Sequence, residues 1–121
     1  MARKKQPTIV HDKAWVTLMA AAEPYISRGA VFRCHDAKWP YESIVDFMLI
    51  LDTGSPSGFA LIVATGYKSG HVVRCLPSEA RTKEAAYAIS REWLQKNWNE
   101  WIYEECDLNK VLITNHYSIG M

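Results

Sequence analysis

Three apolar segments constrain the fold of this chain more than any other feature of its sequence. Residues 44–51, 59–64 and 72–76 are nearly continuous apolar runs, rich in β-branched side chains. The connections between them, residues 52–58 and 66–70, are short and contain the turn formers Gly and Ser. Connections of this length join neighbouring antiparallel strands, so the runs predict a β-meander. Because the runs lack strict alternation, we expect strands covered on both faces or bent around the core.

Elements on either side of the meander complete an α+β pattern. Residues 30–34 and 111–113 predict one strand before the meander and one after it, which makes about five antiparallel strands. Ser90 is a good N-cap for a helix before the last strand. The apolar side chains of that helix share about half of a helical wheel. They are Trp93, Leu94, Trp98, Trp101 and Ile102.

A second helix is predicted near the N-terminus, where apolar residues recur at steps of three and four. These residues are Trp15, Leu18, Met19 and Ala22. Pro24 ends the pattern because its ring clashes with the preceding turn of a helix. The sequence therefore predicts an α+β domain, with an antiparallel sheet of about five strands, an N-terminal helix and a Trp-rich helix.

Length, charge and apolar content are those of one globular domain. We interpret residues 1–121 as a single domain that begins with a flexible basic arm, residues 1–11. The net charge of +1 argues against a nucleic-acid-coating protein, because phosphate binding requires a clear basic excess. The sequence shows no secretory signal and no apolar run near the ~20 residues that span a bilayer. These features predict a cytoplasmic protein without a membrane or nucleic-acid partner.

The sequence lacks the residue groupings of a catalytic or metal site. Cys34, Cys75 and Cys106 are widely spaced, so we expect reduced and mostly buried thiols instead of a zinc site. The four histidines are scattered, and no motif for a serine nucleophile, phosphate loop, dinucleotide or zinc protease is present. Asp46, within an apolar strand, is expected to face outward or to accept a structural hydrogen bond. The sequence therefore predicts no catalytic residue, metal or cofactor.

Aromatic and acidic side chains indicate a surface that binds another protein. Five tryptophans and six tyrosines are many for this length, and large aromatic side chains dominate protein interfaces. Of the three tryptophans in the helix, we expect two in the core and one partly exposed. Residues 92–107 carry five acids and one lysine, a net charge of four negative. Such a surface suits a basic partner such as a toxic nuclease, although a solvated acidic helix end remains the alternative.

Three clusters of uncommon residues resemble one known family. They are residues 39–42 (Trp-Pro-Tyr-Glu) with 45–48 (Val-Asp-Phe-Met), residues 58–63 with 66–70, and residues 89–94 with 98–103. The pattern is similar to family forty-five of the polymorphic-toxin immunity proteins, over residues 28–114. The resemblance implies a cytosolic antidote that is not an enzyme. It would bind the C-terminal domain of a cognate toxin as a heterodimer and block the toxin's active site.

We place the predicted toxin interface on the segment around Pro40, the Tyr67 turn and the acidic end of the Trp-rich helix. The predicted interface residues are Asp36, Trp39, Tyr41, Glu42, Tyr67, Trp98, Glu100, Glu104, Glu105 and Asp107. Two alternatives stay open. One is a small enzyme or ligand-binding domain with a cleft lined by Asp46, Tyr67 and a histidine. The other is a nucleic-acid-binding accessory protein that uses residues 3–5 and exposed tryptophans.

Overall fold

Within the residues that the structure describes, two antiparallel sheets and one α-helix make up the fold. The computed structural model describes residues 15–35, 43–83, 85 and 87–117, so the predicted basic arm lies outside the described residues. The strands are β1 (Val16–Thr17), β2 (Tyr25–Ile26), β3 (Val31–Cys34), β4 (Val45–Leu51), β5 (Phe59–Val63), β6 (Val72–Cys75), β7 (Ile89–Ser90) and β8 (Leu112–Thr114). Helix α1 covers Arg91–Asn97 and continues as a π-helical turn, Trp98–Ile102. Short 3₁₀ turns cover Leu18–Ala20, Gly66–Lys68, Ser78–Ala80 and Leu108–Lys110.

The main sheet has six strands in the order β1-β8-β3-β4-β5-β6. Strands β4 to β6 form the predicted meander, β3 is the strand predicted before it, and β8 joins on the other side of β3, where Phe32 pairs with Ile113. The α+β class is therefore confirmed. The predicted count of about five strands is too low, because the two-residue β1 adds a sixth. Strands β2 and β7 form a separate two-stranded sheet.

The predicted N-terminal helix is wrong. Val16 pairs with Ile113 of β8, and the backbone N–H of Leu18 donates to the carbonyl of Val111 at 2.8 Å. Leu18 is buried while Met19 is about half exposed, so the predicted apolar stripe does not form. A helix of this length is marginal by itself, and pairing with β8 satisfies the same backbone groups while burying Leu18.

Helix α1 begins where the sequence predicts. The Ser90 side chain accepts a hydrogen bond from the backbone N–H of Trp93 at 3.1 Å, as an N-cap does. At the other end, the amide side chain of Asn97 donates to the carbonyl of Trp93 at 2.8 Å. The π-helical turn follows at once, and its last bond runs from the Tyr103 N–H to the Trp98 carbonyl. The wider turn shifts the angular phase of the side chains relative to a regular α-helix.

The core lies between one face of the main sheet and α1 with its π-helical turn. Phe32, Phe47 and Trp98 are all fully buried there. Trp93 and Trp101 are only half buried and contact each other, with ring centroids 5.9 Å apart. The expectation of two core tryptophans is therefore wrong, since only Trp98 of the three is fully buried. Within the described residues, no helix combines the length and apolar character needed to cross a bilayer.

Candidate functional site

The segment 36–42 connects β3 to β4 at one end of the main sheet. Strand β3 ends at Cys34, whose partner in the antiparallel register is Val45 at the start of β4. The predicted interface residues of this segment lie outside the described residues. They are Asp36, Trp39, Tyr41 and Glu42. The structure describes the residues on either side of this segment, residue 35 and residue 43.

The turn between β5 and β6 lies at the same end of the sheet. Phe47 pairs with Val63, and the backbone N–H of Ala64 donates to the carbonyl of Asp46 at 2.8 Å, so the end of β5 lies beside the start of β4. A 3₁₀ turn follows, and Tyr67 within it is 74% exposed. Tyr67 therefore lies at the surface, as an interface residue must.

The acidic segment after the π-helical turn packs against the sheet near this end. Cys34, at the end of β3, and Cys106 of the acidic segment are both buried in the same apolar cluster. The ring of Tyr103 packs against Phe47 with centroids 5.6 Å apart. The side chain of Asn99 donates to the carbonyl of Cys106 at 3.0 Å, which holds the segment against the π-helical turn. The acidic segment is thereby fixed beside the start of the hairpin between β3 and β4.

Four predicted acidic interface residues are exposed at this end. They are Glu100, Glu104, Glu105 and Asp107. Asp107 also has a structural role, because its carboxylate accepts a hydrogen bond from the Asn109 N–H at 3.0 Å at the start of a 3₁₀ turn. We refer to the described residues 34–35, 43–45, 64–71 and 100–107 as the candidate face.

Trp98 does not belong to the candidate face, which corrects its prediction as an interface residue. Its side chain is 0% exposed. The ring lies 5.5 Å from the Phe32 ring and 6.2 Å from the Phe47 ring, centroid to centroid. Trp98 begins the π-helical turn and points into the core under the main sheet, so it supports the face from below.

Asp46 is fully buried close to the candidate face and holds an ionic hydrogen-bond network. Its carboxylate accepts bonds from Arg33 Nε at 2.8 Å, from Arg33 Nη2 at 2.9 Å and from Tyr117 Oη at 2.6 Å. The guanidinium also lies over the Trp15 ring, 4.3 Å from its centroid. The backbone N–H of Asp46 donates to Thr65 Oγ1 at 3.0 Å. The prediction that Asp46 accepts a structural hydrogen bond is thus confirmed.

The charges of this network stabilise each other. The hydrogen bond to Asp46 raises the pKa of Arg33. Burial, followed by the hydrogen bond to Asp46, raises the pKa of the Tyr117 hydroxyl. Tyr117 therefore remains a neutral donor at ordinary pH. The network joins Trp15 and Tyr117 to the central strands of the sheet and leaves the carboxylate engaged on both oxygens.

An open cavity of about 620 Å³ lies between α1, the chain at Pro24 and the 3₁₀ turn Ser78–Ala80. Its lining includes the charged side chains of Glu79, Arg81 and Arg91, but neither Asp46, Tyr67 nor a histidine. The residues expected to line a small-molecule cleft are therefore not brought together in this cavity. In the part of the chain that the structure describes, no cluster of His, Cys, Asp and Glu could hold a metal ion.

Comparison with protein families identifies a match that covers most of the chain. Residues 18–113 match the family model described as Immunity protein 45. The matched range includes both the segment 36–42 and the acidic residues of the candidate face. No curated protein and no solved structure matches the chain.

Proposed function

The chain belongs to the immunity protein 45 family, and we propose that it binds the C-terminal domain of a cognate nuclease toxin and occludes its active site. Membership of the family carries the proposal, since it implies an immunity protein that acts on a toxin. It also suggests an inhibitor that is not an enzyme. The candidate face supports the choice of surface, because it combines exposed acids with an exposed aromatic side chain at one end of the sheet.

A basic toxin fits the charge of the candidate face. Glu100, Glu104 and Glu105 are exposed within six residues of chain. A nuclease needs positive charge around its active site because it binds phosphates. Carboxylates placed over that site would compete with the nucleic acid for the same positive groups. Their long-range field would also speed the encounter of the two proteins.

Buried contacts beneath the candidate face hold its backbone in place before a partner binds. Tyr103 packs on Phe47 of β4, and Asn99 holds the carbonyl of Cys106. Residues held by packing and hydrogen bonds lose little conformational entropy when a partner binds. Tyr67 supplies an exposed aromatic anchor, the residue type that dominates binding energy at interfaces. With Trp39 and Tyr41 of the neighbouring segment, the face would bury on the order of 1,600 Å² in total.

Co-expression with the product of the neighbouring gene, which we expect to encode the toxin, tests this function. We expect a stable one-to-one complex in size-exclusion chromatography and restored growth of cells that make the toxin. The purified immunity protein should also suppress the toxin's nuclease activity at equimolar concentration. A toxin variant without its catalytic residue serves as control and should still form the complex. Failure of both toxin forms to co-purify with the chain would exclude the proposal.

Neutralising the three glutamates together is expected to slow toxin binding. In the variant Glu100→Gln, Glu104→Gln, Glu105→Gln, the association rate should fall on the order of tenfold at low salt, because the steering field is reduced. The difference should shrink as salt shortens the Debye length. Stopped-flow fluorescence or surface plasmon resonance at several salt concentrations measures this effect. Asp107 stays unchanged because it caps a 3₁₀ turn.

A matched control removes three exposed acids elsewhere on the chain. Glu23, Glu79 and Glu92 are all exposed and lie outside the candidate face. Their exchange for glutamine changes the net charge by the same amount. If this control slowed association as much as the variant of the candidate face, binding by that face would be refuted.

A further inference from the structure

A second exposed aromatic surface lies at the end of the main sheet opposite to the candidate face. The turn 52–58 joins β4 to β5 at that end. Leu51, the last residue of β4, is 43% exposed, and Tyr87, which packs beside β5, is 63% exposed. Arg28 and Arg81 are exposed next to them. We refer to Ser27, Arg28, Leu51, Arg81 and Tyr87 as the aromatic-basic patch.

Tyr87 is held in place although most of its side chain is exposed. Its ring packs edge-on against Phe59, with centroids 6.0 Å apart, and the Arg81 guanidinium lies over it, 5.0 Å from the centroid. Arg81 Nη1 donates to the carbonyl of Ser57 at 3.1 Å, which ties the guanidinium to the turn 52–58. An exposed aromatic side chain that is already ordered loses little conformational entropy when a partner covers it.

Two open cavities flank Leu51 and Tyr87, and both of these side chains line each cavity. One cavity, of about 340 Å³, has Ser27 and Arg28 in its lining. The other, of about 300 Å³, has Arg81 in its lining. Each cavity combines an apolar wall, a tyrosine and an arginine. This composition suits an aromatic side chain with carboxylates around it.

The carboxylate in the turn 52–58 is engaged within that turn. Asp52 accepts hydrogen bonds from the Ser55 hydroxyl at 2.9 Å and from the Gly54 N–H at 3.1 Å. These bonds lower the pKa of Asp52, because they favour the ionised form. The charge of Asp52 thus stabilises the turn, while the charge in the lining of both cavities comes from arginine.

We propose that the candidate face of one copy of this chain docks on the aromatic-basic patch of a second copy, with Tyr67 in the cavity beside Arg28. The candidate face has the composition that the patch requires. Tyr67 is 74% exposed, and Glu104 and Glu105 are exposed at the same end of the sheet. The opposite charges of the two ends attract, and the Tyr67 ring stacks on the guanidinium of Arg28. The contact joins two different surfaces, so it builds open chains of copies.

Few side chains take part on either side of this contact, so the association is weak. Small interfaces are transient, and we expect a dissociation constant on the order of 0.1 mM at low salt. Added salt should weaken the contact further, because it screens the charges. A toxin bound to the candidate face and a second copy would exclude each other. That consequence alone rests on the proposed function.

Sedimentation velocity of the full chain, at concentrations on either side of that value, tests the proposal. The weight-average sedimentation coefficient should rise with concentration at low salt and return to that of the monomer at high salt. The patch variant Arg28→Glu, Tyr87→Ala should stay monomeric, and so should the face variant Glu104→Lys, Glu105→Lys. Lys96→Glu is the matched control, because it changes the charge of an exposed side chain outside the patch. It should associate as the natural chain does. All the changed residues are exposed, and circular dichroism checks that each variant is folded.

Mixing the two monomeric variants distinguishes a contact between different surfaces from a symmetric one. The patch variant retains the candidate face and the face variant retains the patch, so an equimolar mixture should form a one-to-one dimer and nothing larger. A natural chain that stays monomeric at every concentration, a patch or face variant that still associates, or a mixture that stays monomeric would overturn the inference. So would a monomeric natural chain that binds a single-stranded oligonucleotide and loses this binding in Tyr87→Ala. The test needs no toxin, so its failure would leave the proposed function standing.

Discussion

Replacing Trp98 with alanine should destabilise the fold by about 3–5 kcal/mol, the range for deleting a fully buried Trp or Phe side chain. Trp98 is 0% exposed and contacts the rings of Phe32 and Phe47. The deletion leaves a cavity where α1, its π-helical turn and the sheet meet. Domains of this kind are stable by about 5–15 kcal/mol, so the loss is a large fraction of the total. Urea unfolding followed by circular dichroism measures it.

Trp101 provides the matched comparison for that experiment. It lies in the same π-helical turn but is only half buried, so Trp101→Ala should cost clearly less than Trp98→Ala. Trp98→Phe serves as a milder variant if the alanine variant does not fold, and it should lose less stability because most of the ring volume remains. If the Trp98→Ala protein kept its stability but no longer bound the toxin, its role in the core would be refuted. Trp98 would then be an interface residue.

Local sequence signals were sufficient for the centre of the fold. The apolar β-branched runs and their Gly-containing turns predicted the strands from β4 to β6, because each strand and each turn is encoded within a few residues. Ser90 likewise marked the start of α1, since an N-cap bonds to a backbone group three residues away. The meander and the Trp-rich helix could therefore be placed from the sequence alone.

Pairing between residues far apart in the sequence explains why the predicted N-terminal helix is wrong. The segment from Trp15 to Ala22 has helical spacing, yet Val16 pairs with Ile113 nearly a hundred residues later. The helical wheel grouped Trp98 with the other apolar side chains but did not show which of the three tryptophans is fully buried. The π-helical turn that begins at Trp98 changes the angular phase of the residues after it, Trp101 among them. No local sequence pattern predicts a π-helical turn.

The exposed acids and Tyr67 of the candidate face could be predicted from the sequence. The buried contacts beneath them could not. The contact between Phe47 and Tyr103 depends on the register of β4 and the path of the chain after α1. The pairing of Arg33 with Asp46 had a weaker signal in the sequence. Each is the lone charged residue of an apolar strand, and the two strands are neighbours with opposite charges. Opposite charges in adjacent apolar strands indicate a cross-strand ion pair.

Replacing Asp46 with asparagine should lower the free energy of unfolding by about 2–4 kcal/mol. The variant retains the shape of the side chain but leaves the Arg33 guanidinium and the Tyr117 hydroxyl without their anionic partner. Removal of one member of a buried ion pair is costly because the other charge stays in a desolvated place. We expect the lower part of the range found for fully buried pairs, because the Arg33 side chain is 31% exposed. Chemical denaturation near neutral pH measures the loss.

A double variant separates the contribution of the ion pair to stability from the contribution of side-chain packing. Arg33→Met with Asp46→Leu removes both charges, so it should be more stable than Asp46→Asn alone, because no buried charge is left without a partner. Tyr117→Phe, which deletes only the hydroxyl donor, should cost about 1–2 kcal/mol. The folded fraction of each variant should still bind the toxin, since Asp46 lies beneath the surface. A fully stable Asp46→Asn protein that lost all binding would instead assign the carboxylate a direct role in function.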